Sequence, residues 1–134
     1  MNHDKTNLLF FKTDQSLATP QSLKLQNVTL HFSECTKYLG INIDETLRFK
    51  RHIEQLCVKL SQACYGLRVL RANTNTDIVK AFYFANFYSK LRYGIIFWGS
   101  TADADRVFLK QKWALRIMCG LKFRESCRGH FKKI

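Results

Sequence analysis

At 134 residues the chain has the length of a single domain, and its content of 46% hydrophobic and 13% aromatic residues excludes a disordered protein. One proline and six glycines exclude a collagen-like protein or a flexible linker. The net charge of +12 is unevenly placed: residues 1–47 hold 4 basic and 5 acidic groups, whereas residues 48–134 hold 18 basic and 5 acidic groups.

Apolar and polar residues alternate in the first third of the chain, a pattern typical of short strands. The polar stretch of residues 13–22 contains Pro20 and is predicted to be a loop. Gln26-Asn27 separates two alternating segments, so we predict a hairpin with a tight turn there. The predicted strands are residues 8–12, 23–25, 28–32 and 37–43.

From residue 46 the apolar residues recur at three- and four-residue steps, which predicts a first amphipathic helix. Asp44 or Thr46 is suited to cap its N-terminus. Its polar face carries Arg51, Lys59 and Gln62. Its apolar face carries Ile53, Leu56, Cys57, Leu60, Cys64 and Leu67.

Two further helices are predicted. The second, residues 78–93 with Thr76 or Asp77 as N-cap, is apolar on most of its circumference and is expected to be central. The third runs over residues 102–119, and Gly120 is placed to end it. The residues of the third helix expected to face inward are Val107, Phe108, Gln111, Ala114, Leu115 and Met118.

These elements predict an α+β fold in two parts. Short antiparallel strands, including a hairpin, occupy residues 1–45, and a three-helix bundle occupies residues 46–134. No membrane span is expected, because the most apolar window, residues 78–98, contains Lys80, Lys90 and Arg92. Five irregularly spaced cysteines favour reduced thiols and an intracellular, nuclear or cytoplasmic, location.

The positive charge beyond residue 47 favours a polyanionic partner. Each lysine or arginine that neutralises a phosphate releases a condensed counterion, so nucleic acid is the favoured partner. An anionic membrane surface attracts the same charge, and an ordinary solvated surface also accounts for it.

Several segments, taken in order, resemble one protein family. Residues 2–6, with Lys5 and Thr6 and followed by Phe10, are similar to polymerase motif D, and residues 37–44 are similar to motif E, the primer grip. Phe49 with His52 and Ile53 resembles the start of a thumb helix. Residues 93–99, 111–116 and 124–128 continue the pattern. The family is the reverse transcriptases of non-LTR (LINE, jockey-like) retrotransposons.

The resemblance implies a parent enzyme that is an RNA-directed DNA polymerase using Mg²⁺. Such a site needs carboxylates that hold two metal ions about 3.5–4 Å apart. The sequence contains no Asp-Asp pair, and none of its aspartates matches the family's catalytic motifs. We therefore expect the isolated chain to lack polymerase activity, and to bind no metal and no small-molecule ligand.

The resemblance also assigns roles to individual residues. Lys5 corresponds to the motif D lysine, which would protonate departing pyrophosphate, although a solvated lysine is the competing interpretation. Tyr38, Leu39 and Gly40 correspond to the primer grip, and an ordinary strand with a tight bend is the alternative. The implied partner is an RNA/DNA template-primer duplex.

A second set of residues is predicted to contact the phosphates of that duplex along one thumb groove. A solvated helix face is the alternative for these charges. The set is Arg48, Lys50, Arg51, Lys59, Arg68 and Arg71. The aromatic residues expected to belong to the core or its edge, in preference to stacking on bases, are Tyr83, Tyr88, Tyr93 and Trp98.

Two other classes of function remain open from the sequence. One is a non-enzymatic basic helical module that binds nucleic acid or protein. The other is a small self-contained enzyme, which is less favoured because the sequence contains no phosphate loop or metal cluster. Cys119, Cys127 and His130 offer three zinc ligands at irregular spacing, so no structural zinc site is expected.

Overall fold

A computed structural model describes residues 6–13, 22–25, 28–122 and 124–131. The chain divides into two compact units, residues 1–52 and 53–134, which we call the N-terminal unit and the helical unit. Strands lie in the first and helices dominate the second, which confirms the predicted α+β class. Lys5 and the predicted turn at Gln26-Asn27 lie outside the described residues.

The N-terminal unit contains two antiparallel hairpins. β1, Ser22–Leu25, pairs with β2, Val28–His31, which confirms the predicted hairpin. β3, Cys35–Tyr38, pairs with β4, Ile41–Asp44. The prediction of one strand over residues 37–43 is therefore wrong, because the chain reverses at residues 39–40.

The predicted strand at residues 8–12 is also wrong. Leu8 forms one isolated parallel bridge with Phe32, and the Leu8 carbonyl accepts from the Ser33 amide at 2.8 Å. The Lys12 amide donates instead to the Glu45 carbonyl at 2.9 Å. The segment is thus held by two backbone hydrogen bonds and forms no continuous β-ladder.

The first helix, α1, is Lys50–Asn73 and starts four residues later than predicted. Every residue of its predicted apolar face is buried, and Leu60, Cys64 and Leu67 are 0% exposed. Its predicted polar face is exposed, including Lys59 and Gln62. The helical period of the sequence therefore identified the packing face of α1 correctly.

The second predicted helix is formed by three consecutive segments: α2, Thr76–Phe82; a π-helical segment, Tyr83–Tyr88; and α3, Ser89–Arg92. Its N-cap is Asn75, whose Oδ1 accepts from the Ile78 amide at 3.0 Å, and not Thr76 or Asp77.

This second helix is less central than its composition predicted. Val79, Tyr83, Phe87 and Leu91 are buried, but Ile78 is 48% exposed. A helix that packs on one side buries a single apolar stripe. Its other apolar side chains stay at the surface.

Gly94, in the left-handed conformation at φ 64°, separates α3 from the short helix α4, Ile95–Trp98. α5 is Ala104–Cys119, and Gly120 ends it at φ 69°, as predicted. The Gly120 and Leu121 amides donate to the last-turn carbonyls of Ile117 and Arg116, the arrangement of a Schellman motif.

α5 packs with Val107, Ala114 and Leu115 buried, as predicted. Phe108, predicted to face inward, is 43% exposed, so that prediction is wrong. A 3₁₀ turn, Arg128–His130, follows. Among the described residues no helix is both long and apolar enough to cross a membrane.

Candidate nucleic-acid interface

The turn of the second hairpin carries the residues predicted as a primer grip. β3 and β4 pair up to Tyr38↔Ile41, so Leu39 and Gly40 alone form the turn. Both have positive φ, 46° at Leu39 and 83° at Gly40, as a two-residue type I′ turn requires. The left-handed conformation costs a residue with a Cβ about 1–2 kcal/mol. Leu39 is therefore held in a strained conformation that glycine or asparagine would adopt more easily.

The same turn presents apolar surface to solvent. Tyr38 is 64% exposed and Leu39 is 72% exposed. Ile41 on the facing strand is buried, so the hairpin packs through that strand while its turn stays exposed. The three predicted residues, Tyr38, Leu39 and Gly40, thus lie together at an exposed hairpin tip.

Asp44, at the other end of β4, organises the approach to α1. Its Oδ1 accepts from the Arg48 amide at 2.8 Å, and its Oδ2 from the Lys50 amide at 3.3 Å. Thr46 Oγ1 also donates to it at 3.3 Å. A carboxylate that accepts from backbone amides ahead of a helix stabilises that end. Of the two predicted caps, Asp44 is therefore the one that accepts hydrogen bonds from the backbone at the start of α1.

The N-terminal unit brings three of the predicted phosphate-contacting residues together. Arg48, Lys50 and Arg51 are exposed and line a groove of about 420 Å³. Carboxylates share that groove, and one of them, Glu45, is paired with Lys12 at 2.8 Å. The acidic residues of the lining are Glu34, Asp44 and Glu45. This groove is therefore of mixed charge, which weakens its attraction for phosphate.

The helical unit separates the other three predicted residues. Lys59 and Arg68 are nine residues apart on α1, and at 3.6 residues per turn this places them on opposite sides of the helix, roughly 180° apart. Arg71 lies close to the direction of the buried face. The helix geometry therefore places Lys59, Arg68 and Arg71 in different directions around α1, and their contact with phosphates stays a prediction.

Arg68 belongs instead to a cluster with α5, which we call the Trp113 cluster. The guanidinium of Arg68 lies 5.5 Å from the centroid of the Trp113 ring, and Lys110 Nζ lies 5.3 Å from it. These are cation–π distances. Two positive charges are thus held next to one partly exposed indole, an arrangement that suits a phosphate flanked by an aromatic surface.

Sequence reasoning missed Trp113 and Lys110. The signal was present, because Lys110 and Trp113 are three residues apart and so share a face of a helix. The contribution of Arg68 depends on how α1 and α5 pack, which the local pattern does not reveal.

Arg71 has a structural contact. Its Nη1 donates to the Ile117 carbonyl in the last turn of α5. A Cβ added at Gly120 would clash with the Arg71 guanidinium, so the guanidinium covers the end of that helix. A cation at a helix C-terminus satisfies carbonyls that lack intrahelical partners. This engagement leaves fewer of the guanidinium donors of Arg71 for a phosphate.

The four aromatic residues expected in the core or at its edge differ in how far their side chains are exposed. Tyr83 and Trp98 are buried, at 3% and 2% exposure. Tyr88 is half-buried, and Tyr93 is 53% exposed. The Trp98 indole donates to the Tyr93 carbonyl at 3.2 Å.

The charge of the helical unit exceeds that of the N-terminal unit. Residues 53–134 contain 15 basic and 5 acidic groups, a net charge of +10, whereas residues 1–52 contain 7 and 5, a net charge of +2. Few of these basic groups are paired with a carboxylate. The described residues show two ion pairs, Lys12–Glu45 and Asp103–Arg106. The helical unit therefore presents a strongly positive surface.

Two of the buried cysteines have a raised pKa, and the described residues form no metal cluster. Burial raises the pKa of Cys57, and raises that of Cys64 to about 11, so both thiols are protonated at neutral pH. Within the described ranges no three His, Cys, Asp or Glu side chains gather so as to hold a metal ion.

Comparison with known proteins adds no relative. No protein-family model, no curated protein and no solved structure matches this chain.

Proposed function

We propose that this chain is part of a reverse transcriptase of a non-LTR retrotransposon, comprising the last palm strands and the thumb. Its role is to bind the RNA/DNA template-primer duplex through sugar-phosphate contacts. The ordered motifs and the +10 charge of the helical unit support this proposal.

The observation that carries the proposal is the conformation of the hairpin tip. The motif that resembles the primer grip forms a β-hairpin whose turn holds Leu39 at φ 46° with its side chain exposed. The Leu39 side chain is 72% exposed, so its burial does not account for the strained conformation. Strain of this kind is concentrated at binding sites, where it fixes the geometry of a contact. Tyr38 and Leu39 would support the primer strand by shape, and Gly40 would allow the phosphate backbone to approach closely.

The basic residues would supply affinity. Arg68 and Lys110, next to Trp113, contribute two charges in the helical unit, and Arg48 and Arg51 contribute charges in the N-terminal unit. Contacts to phosphate carry no sequence information, which suits a protein that must follow any template. None of these residues takes part in proton transfer or metal binding in this proposal.

The proposal is tested by comparing the affinity of the chain for an RNA–DNA hybrid with that for each single strand of the same sequence. We expect tighter binding to the hybrid, and a loss of about ten-fold on changing both Arg68→Gln and Lys110→Gln. Lys80→Gln, which removes an exposed charge from α2, is the matched control and should have a smaller effect. Equal affinity for the hybrid and both single strands contradicts the thumb assignment.

The second candidate is a non-enzymatic basic module that binds nucleic acid without any preference for a primer terminus. The Trp113 cluster favours it, because cations beside a partly exposed ring bind single strands as readily as duplexes. The two candidates differ at the hairpin tip. If Leu39→Ala leaves hybrid binding unchanged while Arg68→Gln with Lys110→Gln weakens it, the second candidate is supported.

A further inference from the structure

The helical unit contains an aromatic groove that the proposed function does not use. It has a volume of about 280 Å³. A cavity of about 150 Å³ already accommodates benzene, so the groove is large enough for a planar ring with polar substituents. Its lining residues are Tyr83, Phe84, Tyr88, Gln111, Leu115 and Phe131.

The π-helical segment creates one wall of this groove. The Ser89 amide donates to the carbonyl of Phe84, five residues back, in place of the usual four. The wider turn brings Tyr83 and Tyr88 together, with ring centroids 6.3 Å apart, and Phe84 meets Tyr88 edge to face at 5.7 Å. π-Helical turns are rare, cost regular hydrogen bonding and occur frequently at functional sites. The local distortion therefore concentrates three aromatic rings at one place.

The lining of the groove combines polar groups with accessible rings. Tyr83 is 3% exposed and its hydroxyl interacts with the Gln111 amide. Burial raises the pKa of Tyr83, so its hydroxyl keeps its proton at neutral pH. Phe84 is 42% exposed, and Tyr88 and Phe131 are half-buried. A planar ligand in this groove would therefore meet both aromatic rings and hydrogen-bonding groups.

The surroundings of the groove are positive. Lys112 Nζ lies 4.3 Å from the centroid of the Phe108 ring, and that ring lies 6.1 Å from the ring of Phe131. Arg128 is exposed in the turn that leads to Phe131. The six described lining residues include no acidic side chain. An anionic group attached to the planar ligand would thus be attracted to the rim.

We propose that this groove binds one unpaired nucleobase of the nucleic acid that the chain holds. The aromatic rings and polar groups of the lining and the cations beside it match the ring, the base edge and the phosphate of a nucleotide in a single-stranded segment. The inference rests on the nucleic-acid binding proposed above and extends it from duplex backbone to an unpaired base.

The test uses an RNA–DNA hybrid with a short single-stranded overhang that carries 2-aminopurine, a base whose fluorescence falls on stacking. A second hybrid carries an abasic overhang of equal length and charge. We expect the chain to quench the 2-aminopurine and to bind the base-containing hybrid about ten-fold more tightly than the abasic one. Phe84→Ala should remove that difference while leaving the salt dependence unchanged, because the variant keeps every basic side chain that binds phosphate.

The control is Phe97→Ala, which removes an equally large ring that is 59% exposed and outside the groove. It should retain the ten-fold difference. Phe84→Leu keeps the apolar volume and guards against a folding defect, and it should behave like Phe84→Ala.

Two outcomes overturn the inference. One is equal affinity of the unchanged chain for the base-containing and abasic hybrids. The other is a preference for the base that survives both changes at Phe84. In either case salt-dependent binding of the hybrid itself leaves the proposed function standing, whereas the absence of all hybrid binding refutes both.

Discussion

The two units of this chain differ in how they use backbone and charge. The N-terminal unit contains all three non-glycine residues of positive φ among the described residues, Leu39, Leu47 and Phe49, and has a net charge of +2. In the helical unit the described residues of positive φ are glycines, Gly94 and Gly120, and the net charge is +10. In the proposed function, the first unit would bind by shape and the second by charge.

The units also differ in how they are held together. The largest fully buried side chains among the described residues lie in the helical unit, led by Trp98 and Phe87. In the N-terminal unit, polar contacts such as those of Asp44 and the Lys12–Glu45 pair fix the turns. A packed core resists single surface changes, whereas a turn held by a few contacts responds to each of them.

The largest expected effect comes from the core of the helical unit. Phe87→Ala should lower the free energy of unfolding by about 3–5 kcal/mol, because Phe87 is 0% exposed and its removal leaves a cavity. Phe97→Ala, at a site 59% exposed, should change it by less than about 0.5 kcal/mol. Both tryptophans lie in residues 53–134, so their fluorescence in a urea titration reports this unit. Similar destabilisation of the two variants would contradict the packing described.

The next effect is a decrease in stability at alkaline pH. Burial raises the pKa of the Cys64 thiol from 9.0 to about 11. The unfolded chain therefore releases this proton at a lower pH than the folded chain does. The contribution of the thiol to the free energy of unfolding is complete below pH 9 and is lost as the pH rises toward 11. The decrease should reach about 2 kcal/mol at pH 11. Cys64→Ala should flatten the pH dependence of the urea midpoint, and an unchanged dependence would count against burial of this thiol.

A smaller effect is expected where α1 meets the end of α5. Gly120→Ala should destabilise the helical unit by about 1–2 kcal/mol, because its φ is 69° and the new methyl group would meet the Arg71 guanidinium. Gly129→Ala is the matched control, since nothing lies within 4 Å of its added Cβ. Arg71→Ala should remove part of the penalty in a double-mutant cycle. Additive effects would show that the two residues do not contact each other.

The smallest effect should have opposite signs for stability and binding. Leu39→Asn should stabilise the β3–β4 hairpin by about 1 kcal/mol, because asparagine tolerates the left-handed conformation that leucine resists. The same change should weaken binding of the RNA–DNA hybrid if the exposed leucine contacts the primer. Slower amide exchange in the hairpin together with reduced affinity is the expected pair of results. A stabilised hairpin with unchanged affinity would show that the strain serves another purpose.

The sequence predicted the helical part of the fold well for a physical reason. The packing face of α1 follows from the 3.6-residue period alone, and the end of α5 follows from Gly120. The strand at residues 37–43 was wrong because type I′ turns usually contain Asn-Gly, and Leu39-Gly40 gives no such signal. The predicted N-cap, Thr76 or Asp77, lies one or two residues after the observed Asn75, because asparagine, threonine and aspartate are all good caps.

The candidate site was less accessible to sequence reasoning. The excess of basic residues predicts phosphate contacts, but it does not predict their direction, and a spacing of nine residues places Lys59 and Arg68 on opposite sides of α1. The Trp113 cluster depends on contact between α1 and α5, which is tertiary information. Leu39 could be named from its motif, but its strained conformation became visible only in the hairpin geometry.

The most direct test of the central claim, that the helical unit binds phosphates through its positive charge, is the salt dependence of hybrid binding. We predict that the logarithm of the association constant falls linearly with the logarithm of the salt concentration. Changing Arg68→Gln and Lys110→Gln together should flatten the slope by about one unit for each phosphate that the variant no longer neutralises, and Lys80→Gln should flatten it less. An affinity that stays the same between low and high salt would contradict the account.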